Sequence, residues 1–68
     1  MSSTKEIDLL AKEIADVLGI NPDSISLSKM SGGFWMADVS NLESELLDSP
    51  IKVMQSLLTK ANDSVSTC

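Results

Sequence analysis

The sequence predicts a small α+β fold, mainly helical, ordered as helix, β-hairpin, short helix, helix and disordered C-terminal tail. Three observations carry this. Apolar residues recur at three- and four-residue steps near both ends of the chain. The middle alternates apolar and polar residues around a Gly–Gly pair. The final DSVSTC stretch is almost wholly polar. At 68 residues the chain makes one domain, and a chain of this size buries only about 60% of the surface its unfolded form exposes. Its core is therefore thin.

The first helix is expected over residues 4–18. Ser3 and Glu6 have capping-box spacing, so hydroxyl and carboxylate each satisfy a helix-end N–H. Ile7, Leu10, Ala11, Ile14, Val17 and Leu18 then form one apolar stripe. Gly19 stands where a left-handed C-cap belongs, with Ile20 as the apolar residue beyond it. NPDS (21–24) reads as a turn, with Pro22 fixing φ. Ile25 and Leu27 alternate with Ser24, Ser26 and Ser28, a period of two that predicts a half-buried strand. The glycines of SGG (31–33) supply the positive φ values of a tight turn, and FWMADV (34–39) suits a second strand. A hairpin pairing 25–30 with 34–39 follows, with an irregular loop as its rival because an isolated ribbon is weak.

Ser40 and Glu43 repeat the capping-box spacing, which predicts a short helix over 41–48 with Leu42, Leu46 and Leu47 turned inward. Ser49 caps a last helix over 50–61, with Pro50 at its first position, where a missing N–H costs nothing. Ile51, Met54, Leu57, Leu58 and Ala61 are its stripe, and Asn62 ends it. Residues 1–62 are thus expected to be a folded recognition domain and 63–68 a flexible tail.

Charge narrows the function classes. Ten acidic residues face five basic ones, a net of -5, and every basic residue is a lysine. Nucleic acid and anionic membrane surfaces both require clustered positive charge, so neither is an expected partner. A basic protein groove fits better. No apolar run approaches the ~20 residues of a membrane span, and no basic stretch precedes an apolar one at the N-terminus, so cytoplasmic synthesis is expected. The chain has no His and one Cys. It can form no internal disulfide, and it lacks an imidazole for metal binding or general-base work. Glu6, Glu13 and Asp16 read as a solvated helix face, Glu43 and Glu45 as capping and surface residues. No catalytic role, cofactor or metal site of its own is expected.

Two regions remain as candidate sites. Phe34 and Trp35 are the only aromatic residues, and neighbours on a strand face opposite sides, so one is expected outside as a docking anchor. Met30 and Met36 flank them and suit adaptable surfaces, with plain core packing as the alternative for all four. The tail carries Ser64, Ser66, Thr67 and the lone Cys68. Nothing nearby would activate that thiol: no lysine lies within seven residues, and a terminal carboxylate raises its pKa. A partner would have to do so, reached across ~20 Å by a tail that extends ~3.3 Å per residue. An accidental or added Cys is the bland alternative.

Several resemblances bear on this pattern. The Gly32–Gly33 pair after a helical segment resembles the cleavage site of exported bacteriocin precursors, although those peptides are usually cationic and a hairpin turn explains the pair better. LAKEIADVLGINPDSIS resembles the opening of an acyl carrier protein, which implies a phosphopantetheine-bearing Ser at the start of a second helix; the nearest residue is Ser40, in ADVSNLE rather than Asp-Ser-Leu. A Ser/Thr-rich end with a Cys resembles lanthipeptide precursors, which implies attack of Cys68 on dehydrated Ser64, Ser66 or Thr67. An acidic helical leader with a terminal Cys resembles the scaffold peptides of peptide aminoacyl-tRNA ligase pathways, such as the route to 3-thiaglutamate. That resemblance implies that Cys68 is appended after Thr67 by a ligase and then reworked by an iron-dependent enzyme whose metal the thiolate binds. The folded part would be recognised through a helix groove or by β-augmentation. The competing reading is a small acidic adaptor or chaperone whose tail has no role.

Overall fold

A computed structural model describes residues 3–40 and 42–66, with side-chain environments for 5–40 and 42–65. The chain is a small α+β fold. Helix α1 spans Ser3–Leu18, a 3-10 turn Pro22–Ser24, strands β1 Ser26–Lys29, β2 Trp35–Val39 and β3 Leu42–Glu43, and helix α2 Pro50–Ser66. The strands form one antiparallel sheet in the order β1-β2-β3. No helix among the described residues is long and apolar enough to cross a membrane.

Helix α1 ends as its sequence predicts. Gly19 adopts φ 69. Its N–H donates to the Asp16 carbonyl at 3.3 Å, and the Ile20 N–H donates to that of Ala15 at 2.9 Å. This pair of bonds is the Schellman arrangement, which satisfies carbonyls that the helix leaves open. The hairpin also forms, with Leu27 opposite Ala37 and Lys29 opposite Trp35. Gly32 and Gly33 hold φ of 85 and 84 in its loop. The Met30 N–H closes the loop on the Phe34 carbonyl at 2.6 Å.

Of the short helix expected over 41–48, the described residues 42–48 form none. Residues 42–43 are instead strand β3, with Leu42 opposite Val39 and Glu43 opposite Asp38. The pairing continues beyond the strand. Ser44 N–H donates to the Ala37 carbonyl at 2.8 Å, while Trp35 and Leu47 exchange both backbone bonds at 2.7 and 3.2 Å. Between Ala37–Ser44 and Trp35–Leu47 the register slips by one residue, so Glu45 and Leu46 together oppose Met36. That is a β-bulge. Physically, a helix of eight residues is marginal on its own, whereas the second edge of β2 holds buried backbone groups at Ala37 that must find partners.

The β2–β3 connection turns at Ser40, which holds φ 53, a region costly for a residue with a Cβ. Glycine removes that cost of about 1–2 kcal/mol but adds about 0.5–1 of its own backbone entropy. Ser40→Gly is therefore expected to raise stability by about 0.5–1 kcal/mol in urea unfolding; a loss would show that the turn is not strained.

Ile14, Ala37, Val39, Val53, Met54, Leu57 and Ala61 are the buried core, with Ile7, Leu10, Val17, Trp35 and Leu47 among the residues packed on it. Helix α2 is central, touching α1 on one side and β2 and β3 on another. That double contact is why its buried stripe includes Val53, a position outside the simple sequence stripe. The helices run in the same direction: Leu9 and Leu10 line a groove with Ile51 and Gln55, and Asp16 and Val17 line another with Leu58 and Asn62. Helix α2 also continues past Asn62 to Ser66. Residues 63–66 of the expected tail are therefore helical, and Thr67 and Cys68 lie outside the described residues. No Gly or Pro follows Ala61 to stop the helix.

Candidate docking surface

The two faces of the sheet differ in chemistry. Residues on one face of a strand share parity, and the register sorts them here. Ile25, Leu27, Trp35, Ala37, Val39, Leu42 and Leu47 turn inward and pack on or within the core. Met30, Phe34, Met36 and Leu46 lie outside that core cluster. The pairs Met30–Phe34, Ser28–Met36 and Ser26–Asp38 place the first three on the opposite, open face. The bulge sets Leu46 beside Met36.

Phe34 is 44% exposed and Leu46 54% exposed. Of the adjacent aromatic pair, then, Phe34 is the outward residue and Trp35 the inward one. Trp35 sits half-buried at the end of the inner face, and the Lys29 ammonium lies 5.8 Å from the centre of its ring. Such a cation–π contact is worth roughly 0.5–1 kcal/mol at an exposed site. An alanine at Trp35 therefore disturbs packing as well as any docking role, which makes Phe34 the cleaner probe. Phe34 folds back over the loop, where a side chain at Gly32 would meet its ring at 3.5 Å.

Carboxylates border the apolar patch. Asp38 lies directly opposite Glu43 across the β2–β3 pair, a like-charge juxtaposition that opposes strand pairing. Glu45 sits in the bulge next to Leu46. Among the described residues no lysine lies within ion-pair distance of these three. The Lys60 ammonium reaches only the Glu43 main chain, donating to its carbonyl at 2.9 Å.

No family model, curated protein or solved structure matches this chain. The surface must be read from its own chemistry.

Among the described residues no group of three His, Cys, Asp or Glu side chains is placed to hold a metal ion. Ser40 stands at a turn followed by a strand, so the second helix that an acyl carrier motif needs is absent at that position. Ser64 is exposed on the last turns of α2. Leu46 is the surface residue that sequence reading missed. Its i, i+4 spacing from Leu42 fits a helix, and only the bulge turns Leu46 outward while Leu47 stays inward.

Proposed function

We propose that this chain is a ribosomally made scaffold peptide, a substrate rather than a catalyst, whose folded part is bound by partner enzymes that modify Cys68. The observation that carries the reading is the form of α2. Its last fully buried anchor is Ala61, yet the helix continues to Ser66. Asn62, Asp63, Ser64 and Val65 are exposed. The helix thus runs on beyond its buried stripe toward the residue to be modified. Asn62 still lines a cleft with Asp16, Val17 and Leu58, and Ser64 lines one with Leu18, Ile20, Ser40 and Leu42, so only the two residues after Ser64, about 3 Å of helix rise, lead beyond the body. A helical approach to the modified end would lower the ordering cost of delivering it to a partner.

In this reading a peptide aminoacyl-tRNA ligase appends Cys68 after Thr67 in the cytoplasm, and an iron-dependent enzyme takes the thiolate as a metal ligand. Intact-mass spectrometry of the chain from its source cells, with its reading frame sequenced, tests it. The expected result is a gene that stops at Thr67, or a mass change that fragmentation places on residue 68. An encoded Cys68 with an unmodified mass overturns it. The open sheet face independently favours a second reading, an acidic protein-interaction module in which Cys68→Ala leaves binding intact.

A further inference from the structure

We infer that the open face of the sheet is the docking site for a basic amphipathic helix of a partner protein. The inference rests on the reading that a partner protein binds the folded part, but not on any role of Cys68. Four features point to this occupant. The face has an apolar centre of Met30, Phe34, Met36 and Leu46, none of which belongs to the core. Two of the four are methionines, whose unbranched side chains reshape around an incoming helix. The border carries Asp38, Glu43 and Glu45, and no lysine of the described residues pairs with them. Asp38 and Glu43 also face each other across the strands, and a cation from outside would relieve their repulsion.

The dimensions fit one helix. Three strands at about 4.8 Å spacing make a face roughly 10 Å across, the diameter of one α-helix with its side chains. The inner face already carries α2, so a helix on the outer face would complete a three-layer arrangement. Strand addition fits less well. The β3 edge is interrupted by the bulge, and β1 offers only Ser26–Lys29, a short edge ending in a charge. The groove between α1 and α2 mixes Lys12 with Glu6 and Glu13, so its charge selects no partner.

The test uses the full-length 15N-labelled chain and a synthetic helical peptide of about 18 residues, five turns, with leucine on one face and lysine on the other. A counterpart carries glutamate for lysine. The expected result is saturable binding of the lysine peptide, with amide shifts concentrated at residues 34–38 and 43–46. Leu46→Ser and Asp38→Asn should each weaken it about tenfold, and raised salt should weaken it further. Leu46 is exposed, and half-buried Asp38 lies outside the core, so both variants should fold, as circular dichroism will show. Shifts centred on Leu9 and Ile51, equal binding of the glutamate peptide, or no binding would each overturn the inference. So would concentration-dependent dimerisation that Leu46→Ser abolishes, because the face would then belong to a second copy. Cys68→Ser should bind normally. If it does while Cys68 proves unmodified in cells, the scaffold reading falls and the docking face stands.

Discussion

Replacing Leu57 by Ala is expected to remove about 2–5 kcal/mol of stability. Leu57 is 0% exposed and belongs to the cluster that joins both helices to β2. Its truncation loses the transfer free energy of the missing carbons and leaves a cavity that a close-packed neighbourhood fills only in part. A domain of this size has about 3–10 kcal/mol in total. Leu57→Ala should therefore remove a large fraction of the total stability and sharply lower the unfolding midpoint, read by urea titration of the far-UV circular dichroism. Leu9→Ala is the control, because Leu9 is 61% exposed and should change stability by no more than about 0.5 kcal/mol. Equal effects at the two positions would mean that the face of α2 assigned to the core is wrong. The consequence reaches the docking surface, since Ala37 and Val39 hold the sheet against this cluster.

Ser44→Ala is expected to cost about 1–3 kcal/mol, the penalty for stranding a buried donor. The Ser44 side chain is nearly buried, at 7% exposure. Its Oγ accepts the Ala37 N–H at 2.9 Å and donates to the Glu45 carbonyl at 3.2 Å. In a regular ladder the Ser44 carbonyl would take the Ala37 N–H. Here the hydroxyl stands in for it, which frees the main chain to bulge at Glu45 and Leu46. Two readouts distinguish this from generic loosening. The unfolding midpoint should fall, and hydrogen exchange at the Ala37 amide should accelerate more than at Val39. If Ala37 stays as protected as before, the hydroxyl is not its partner. Because the bulge turns Leu46 outward, the same variant should also weaken peptide binding to the open face.

Much of this architecture was written locally. The stripe from Ile7 to Leu18, the Gly19 cap with Ile20 behind it, the Ser31–Gly33 loop and Pro50 at the start of α2 each rest on contacts between residues close in the chain. Local sequence specifies such features because the interacting groups meet whatever the rest of the fold does. Phe34, Met30 and Met36 stand out in the sequence as odd apolar residues around a turn. Which of Phe34 and Trp35 faces out was not, because alternation gives two opposite faces without saying which one α2 covers.

Tertiary structure alone decided residues 42–48. Ser40, Glu43 and the Leu42–Leu46 spacing satisfy a helical pattern, and isolated propensity favours it. The competing interaction lies several residues away, in the unfilled edge of β2, where buried backbone groups need partners that only a third strand supplies. Pairing there set Leu46 and Leu47 on opposite faces, placed Asp38 against Glu43, and so made the open face both apolar and acidic. The length of α2 was decided similarly. Residues 62–66, polar apart from the exposed Val65, show no stripe, but with Ala61 buried and no Gly or Pro after it, adding helical residues to an anchored helix costs far less than starting one.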